Sequence, residues 1–229
     1  MSSVSSTPMV LLPGTALSAS MYNMLDLSNP SHCIDIDQLL SFEETIKTIE
    51  DQIPNDSLII GYSLGARLAA NISLISNKVK GLVLISFNAG IENIEEKVSR
   101  KEQDYIMAQL AREDLAKMYK RFDTNPVFDS ELNIDNLRLK DSKLVAWQLE
   151  ELGLGASPYL KERLMELRIP VMYLTGIRDT KYVELNKQYK KKTAFAFHFS
   201  LDSDHRVPIS APYSLSRHIE WFTDNVVNV

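Results

Sequence analysis

The chain has 229 residues, of which 45% are hydrophobic and 24% are charged, the balance of a folded globular protein. A net charge of −5 argues against nucleic acid as a partner. No apolar run approaches the roughly 20 residues that cross a bilayer, so we expect no membrane association. A lone cysteine, Cys33, excludes an internal disulfide and favours a cytoplasmic location. The histidines lack metal-ligand spacing and no dinucleotide fingerprint occurs, so we expect neither a metal nor another cofactor.

Short apolar runs along the chain have the length and composition of buried parallel strands. They cover residues 9–14, 32–37, 57–63, 81–88, 170–176 and 194–201. Helical stretches separate most of them, at about 41–53, 64–77, 181–192 and 213–225. Strands that alternate with helices predict an α/β fold with a doubly wound, mostly parallel sheet.

The interval 90–168 contains no convincing strand. Apolar residues recur near helical spacing at its start: Ile91, Ile94, Val98, Ile106 and Leu110. The segment "DTNPVFD" (123–129) breaks this helix, a second helical segment stops at Gly153, and Ser157–Pro158 predicts the N-cap and first position of another helix. We therefore expect a single domain with a core at 8–89 and 169–229 and a helical cap at about 90–168.

Ser63 lies between two glycines in "GYSLG", where a predicted strand meets a predicted helix. A serine in such a tight turn adopts a strained backbone, and Gly61 and Gly65 are small enough for the close approach of the chain there. Its hydroxyl then lies at a helix N-terminus, which favours developing negative charge. The motif by itself is common in turns, but its position at this junction favours a nucleophile.

A nucleophile of this kind predicts an acid and then a histidine, each after a later strand. Asp179 follows the run 170–176, and His205 follows the run 194–201, in that order. Asp202 and Asp204 flank the histidine and are rival acids, but a triad acid normally comes from another loop. His198 is interpreted as a packed strand residue, and His32 and His218 as solvated ones.

The oxyanion hole of such a site needs two backbone donors. The N–H of Leu64, directly after the nucleophile, is one candidate. The loop "LPGTAL" after the first strand supplies the other, because Gly14 allows a close approach and Thr15 has an N–H to donate.

Several motifs follow one another as they do in a known superfamily: "PGT" after the first strand, "GYSLG", "LTGIRD" and "DHRVPISAP". Through these the chain resembles the α/β-hydrolases across nearly its whole length. Within them it is most similar to the 2-succinyl-6-hydroxy-2,4-cyclohexadiene-1-carboxylate synthases of menaquinone biosynthesis. That resemblance rests on "GYSLGARLA", "EEKVSRKEQD", "NPVF" (125–128), "GLGASPYL" (153–160) and "DTKY" (179–182).

The resemblance implies a small substrate with several carboxylates, which arginines clamp through paired hydrogen bonds. Arg67 and Arg100 match two such arginines and Arg138 a third, although Arg100 is also explained by a solvated helix face. Tyr62 and Phe122 match aromatic walls of the pocket. The family's chemistry implies that His205 and Asp179 raise the basicity of Ser63, which abstracts a proton as pyruvate leaves.

The chain departs from the family pattern near the site. Pro13 stands where histidine is usual, Asp204 where glycine precedes the catalytic histidine, and Ser210 where glutamate is common. Three functions remain open: the synthase, a small carboxylesterase or thioesterase that forms an acyl-enzyme, and a non-catalytic ligand-binding homologue. The sequence leaves the oligomeric state open.

Overall fold

Six parallel strands form one sheet at the centre of the molecule. The computed structural model describes residues 7–128 and 132–229, so the end of the 123–129 break lies outside the described residues. The strands are β1 (Met9–Leu12), β2 (Ser31–Cys33), β3 (Ser57–Tyr62), β4 (Val79–Ile85), β5 (Val171–Gly176) and β6 (Ala196–Leu201). Their order across the sheet is β2-β1-β3-β4-β5-β6. The predicted α/β class with a parallel sheet is confirmed.

Helices connect the strands and cover both faces of the sheet. They are α1 (Phe42–Gln52), α2 (Leu64–Ser73), α3 (Ile94–Glu113), α4 (Leu115–Asp123), α5 (Ser142–Glu151), α6 (Thr180–Lys192), α7 (Val207–Ser210) and α8 (Pro212–Phe222). Two 3₁₀ turns, Ala19–Tyr22 and Lys161–Glu166, and a π turn, Thr223–Val227, complete the elements. In the described ranges no helix is long and apolar enough to cross a membrane.

Alternate residues of the central strands pack on opposite faces of the sheet, as the two-residue period of a strand requires. Ile59 and Leu84 belong to the cluster that includes α1 and α2 side chains, and Ile60 and Val83 to the cluster that includes α8 side chains. Every residue of β3 is buried. This continuous burial holds the C-terminal end of β3, and with it Ser63, in a fixed position.

The helices between β4 and β5 depart from the sequence expectations in two places. The predicted first helix is divided at Asp114, whose N–H donates to Leu110 while its side chain caps α4 by accepting the N–H of Lys117. The predicted helix start at Ser157–Pro158 is wrong: the next turn begins at Lys161 and is 3₁₀. Ser157 instead turns its hydroxyl toward the interior, where it contacts an arginine.

Of the five apolar positions predicted for the first of these helices, Ile91 is buried and Leu110 packs against a buried cluster, but the other three are exposed. Ile94, Val98 and Ile106 are 69%, 52% and 51% exposed, whereas Asp104 and Ala108 are buried. The small and acidic side chains allow α3 to pack closely on α5 and on the turn that follows α5.

Candidate active site

Ser63 lies at a sharp turn between β3 and α2. Its φ of 51° and ψ of −103° are strained for a residue with a side chain. The glycines on either side have no room for a side chain, because the backbone lies too close. A Cβ on Gly61 would lie 2.4 Å from the Gly65 carbonyl oxygen, and a Cβ on Gly65 would lie 2.1 Å from the Leu12 carbonyl oxygen. The Ser63 hydroxyl is therefore presented at the carboxyl edge of the sheet, at the N-terminus of α2.

The structure brings together the three side chains that the sequence singled out. His205 Nε2 lies 3.3 Å from Ser63 Oγ, and His205 Nδ1 lies 2.6 Å from Asp179 Oδ2. Asp179 and His205 are 2% and 4% exposed. Asp179 also caps α6 by accepting the N–H of Tyr182, which fixes the direction of its carboxylate.

The rival acids have other partners. Asp202 is exposed and forms an ion pair with Arg178. Asp204 accepts the N–H of Arg206 at 2.9 Å and the Ser210 hydroxyl at 3.1 Å, so it braces the turn after His205. The two departures from the family pattern at positions 204 and 210 therefore contact each other.

Surrounding groups hold the His205 imidazole in place. Its backbone N–H donates to Val127 at 3.1 Å, and its carbonyl accepts the Ser86 hydroxyl at 2.9 Å. The ring of Tyr182 lies edge-on at 4.5 Å and that of Phe128 at 5.7 Å. Sequence reasoning missed Phe128 and Val127, because they reach the histidine only through the folding of the segment after α4.

The two predicted oxyanion donors lie beside the serine. Leu64 is the first residue of α2, so no preceding helical turn offers its N–H a carbonyl. Thr15 lines the cavity, and within the described part of the chain no oxygen accepts its N–H. The next residue, Ala16, has a φ of 61° and donates to Gln148 at 2.8 Å. Gln148, on α5, thus fixes the loop, a role that the sequence did not indicate.

A cavity of about 500 Å³ opens in front of Ser63 and His205. Its cationic lining is unusually rich: Arg67, Arg100, Arg121, Arg138, Lys181 and Arg206. Its aromatic lining consists of Tyr62, Tyr119, Phe122, Phe128 and Tyr182. All five side chains expected to contact substrate therefore line one cavity.

Arg67 is a buried cation without a carboxylate partner. It is 6% exposed, and its hydrogen bonds go to neutral oxygens: Nε donates to Ser157 Oγ at 2.9 Å and Nη2 to the Leu152 carbonyl at 2.9 Å. Burial lowers the pKa of Arg67 to about 10, so the guanidinium stays charged at neutral pH. Its other N–H groups have no acceptor among the described residues.

Arg100 and Arg138 differ from Arg67 because acids already contact them. Arg100 Nε donates to Asp104 at 2.8 Å, and its side chain is 39% exposed. Arg138 is 7% exposed, donates to Asp123 at 2.5 Å and lies over the Tyr119 ring. The interpretation of Arg100 as part of a fully solvated face does not describe this partly buried ion pair.

Asp123, the last residue of α4, joins this helix to the segment after His205. The same carboxylate that accepts Arg138 also accepts Arg206 at 2.5 Å. The Arg206 guanidinium lies over the Phe128 ring, 4.0 Å from its centroid. No local sequence signal linked Asp123 to Arg206, since 83 positions separate them.

The remaining histidines lie away from this cavity lining. His198 is half-buried on β6, 3.3 Å from the Thr175 hydroxyl, and His218 lies against Phe199. Cys33 is partly exposed at the end of β2. Among the described residues, no group of three or more acidic, histidine or cysteine side chains is arranged to hold a metal ion.

Comparisons with known proteins relate this geometry to characterised folds. No protein-family model matches the chain. It is 34% identical over 143 residues to 2-succinyl-6-hydroxy-2,4-cyclohexadiene-1-carboxylate synthase of Yersinia pestis, an alignment of 58% of this chain and 52% of that protein. It is 31% identical over 163 residues to the synthase of the same name from Yersinia enterocolitica, covering 65% and 59%. The chain thus spans somewhat more than half the length of the curated relatives it matches.

Solved structures superpose on a larger part of the chain than these sequence alignments cover. A structure of MenH from S. aureus superposes with a TM-score of 0.87 at 20% identity, covering 94% of this chain and 92% of that one. A thermophilic esterase from Thermogutta terrifontis gives 0.72 at 17% identity, covering 96% and 90%. The chain therefore has the α/β-hydrolase fold and, within it, resembles the 2-succinyl-6-hydroxy-2,4-cyclohexadiene-1-carboxylate synthases.

Proposed function

We propose that this protein is a lyase of the 2-succinyl-6-hydroxy-2,4-cyclohexadiene-1-carboxylate synthase type, which removes a proton from a small polycarboxylate and releases pyruvate. The observation that carries the proposal is the cavity itself. Ser63 and His205 open into a space whose wall holds Arg67, a buried and unpaired cation. Such a wall suits a substrate with several carboxylates, and the similarity to the Yersinia synthases supports the same class of reaction.

The hydrogen bonds around His205 support one direction of proton transfer. Asp179 accepts the Nδ1 proton of His205, which leaves Nε2 as the acceptor for the Ser63 hydroxyl proton. The imidazole thereby raises the basicity of Ser63, and the serine oxygen removes a proton from substrate carbon. The electron pair left on carbon moves into the developing conjugated ring, and the bond between the ring and the departing oxygen breaks. The proton held by His205 then passes to the leaving group, which departs as pyruvate, and no acyl-enzyme is needed.

The cavity lining stabilises the charge that appears during this step. The N–H groups of Thr15 and Leu64 are donors for negative charge on a substrate oxygen. Arg67 and Arg100 bind carboxylates through parallel hydrogen bonds, and Tyr62 and Phe122 contact the apolar part of the ring. This assignment gives the chain a place in menaquinone biosynthesis and requires no cofactor.

The test is to supply the purified protein with the synthase substrate and to measure pyruvate release through a coupled lactate dehydrogenase assay. We expect release by the wild type and a loss of several orders of magnitude in Ser63→Ala. Arg112→Ala is a matched control. Arg112 on α3 forms an ion pair with Glu150 on α5, and it does not line the cavity. No pyruvate from the folded wild type would overturn the proposal.

A second candidate is a small carboxylesterase or thioesterase. The sharp turn at Ser63 and the backbone donors at Thr15 and Leu64 suit this chemistry too, and an esterase is among the structural neighbours. The two functions differ in whether Ser63 becomes acylated. Slow turnover of p-nitrophenyl acetate, with Arg67→Ala affecting dicarboxylate binding more than this probe, supports the synthase. Rapid ester turnover that is indifferent to Arg67 supports the esterase.

A further inference from the structure

The turn from Leu152 to Ser157, which follows α5, contacts Arg67 directly and Arg100 through Asp104. Arg67 on α2 donates to Ser157 Oγ and to the Leu152 carbonyl, each at 2.9 Å. On the other side, the Gly155 N–H donates to Asp104 Oδ2 at 3.0 Å, and Asp104 Oδ1 accepts Arg100 Nε at 2.8 Å. One short segment thus lies between two guanidinium groups of the cavity.

The hydroxyl of Ser157 has a defined direction. It donates to the Gly153 carbonyl at 2.9 Å, which uses its only proton. An arginine Nε can only donate, so a lone pair of Ser157 Oγ must face Arg67. Ser157 is completely buried. The hydroxyl therefore fixes the plane of the Arg67 guanidinium and directs its unpaired N–H groups to the cavity.

Asp104 fixes the other side of the turn. Its carboxylate is buried, with each oxygen accepting one donor, from Arg100 and from Gly155. The two turn glycines permit this contact: a Cβ on Gly153 would lie 2.7 Å from Asp104 Oδ2, and one on Gly155 would lie 2.5 Å from the backbone N of Lys101. Asp104 also offsets the charge of Arg100, whereas Arg67 has no acidic partner within ion-pair distance among the described residues.

We propose that Ser157 and Asp104 are positioning residues that hold Arg67 and Arg100 in one carboxylate-binding arrangement, coupled through the turn 152–157. The inference rests on the proposed function, since it assumes that the cavity takes a carboxylate substrate. Asp104 anchors the turn, the turn orients Arg67, and Arg67 supplies a buried positive charge that is not in an ion pair among the described residues. Neither positioning residue touches the reacting atoms.

The test measures succinate as an inhibitor of p-nitrophenyl acetate hydrolysis, with thermal unfolding as a check on folding. We expect Ser157→Ala and Asp104→Asn each to weaken succinate binding about tenfold, because each removes one acceptor from a charged network. Hydrolysis of the neutral ester should change less than about threefold. Ser157→Thr, which keeps the hydroxyl, should recover most of the succinate binding.

A double-mutant cycle separates positioning from a general structural role. In an Arg67→Ala background, Ser157→Ala should change succinate binding less than about twofold, because the group it orients is absent. Asp104→Asn should keep only part of its loss there, because Arg100 is still present. Equal losses in both backgrounds, or parallel losses of ester turnover, would overturn the inference. Arg112→Ala on the same helix as Asp104 is the matched control and should leave succinate binding unchanged.

The synthase assay keeps the two proposals distinguishable. If the wild type releases no pyruvate but succinate binding follows this pattern, the proposed reaction fails and the positioning inference stands for another anionic substrate. If pyruvate is released and its KM is insensitive to Ser157→Ala and Asp104→Asn, the inference fails and the reaction stands.

Discussion

Replacing Arg67 with methionine should separate stability from binding. The pKa of Arg67 is lowered by burial from 12.5 to about 10, which corresponds to a cost of roughly 3 kcal/mol for keeping the charge in this site. Methionine has a similar length and removes that cost. It also leaves the Leu152 carbonyl and one lone pair of Ser157 without their donor, at about 1 to 3 kcal/mol each. Together these contributions predict a free energy of unfolding between about 1 kcal/mol above and about 3 kcal/mol below that of the wild type.

Succinate binding should respond differently, because Arg67 is the buried guanidinium of the cavity lining that no carboxylate contacts among the described residues. Losing a charge-assisted contact to a carboxylate should weaken succinate binding about 100-fold. Denaturant unfolding gives the stability of Arg67→Met, and inhibition of ester hydrolysis gives the binding. Leu68→Ala, at the next position, serves as a comparison. Leu68 is completely buried, so this change should lower the free energy of unfolding by about 2 to 5 kcal/mol without a specific loss of succinate binding. If Arg67→Met unfolds as readily as Leu68→Ala, the guanidinium is a structural element and the reasoning is wrong.

Three further predictions concern Ser63 and His205, the glycine after Ser63, and the N-cap of α1. Ser63→Ala and His205→Ala should each reduce pyruvate release by several orders of magnitude, and the double variant little further, because they act as a unit; additive losses in kcat would contradict this. Gly65→Ala should destabilise the fold or abolish activity, since its Cβ would lie 2.1 Å from the Leu12 carbonyl oxygen; wild-type Tm and kcat would contradict it. Ser41→Ala removes the capping box of α1 and should cost about 1 kcal/mol by denaturant unfolding with kcat unchanged, and a changed kcat would refute the assignment.

The sheet and the serine turn were predictable because local patterns encode them. Buried parallel strands need continuous apolar runs, and each predicted run overlaps an observed strand. The glycines around Ser63 satisfy a steric requirement that depends on neighbours close in sequence and on one adjacent strand. The order of Asp179 and His205 followed from strand ends, because parallel strands bring their carboxyl ends to one edge.

The helices over the sheet were predicted less well, because their partners are distant in sequence. The apolar spacing of α3 pointed to Ile94, Val98 and Ile106, which are exposed. The side of α3 that packs inward carries Asp104 and Ala108, and it faces a turn about fifty residues later in the chain. Helical periodicity cannot show that a carboxylate is buried when its hydrogen-bond donors come from elsewhere in the fold.

The sequence by itself determined the layered α/β architecture, the serine between its glycines and the order of acid and histidine, because each depends on local sterics or on chain order. Only the tertiary structure decided which acid contacts His205, which arginines are already paired and that the buried Arg67 has no carboxylate partner among the described residues. Those properties depend on distances between segments far apart in the chain. Electrostatic pairing acts over a few ångströms of space, whatever the separation along the sequence.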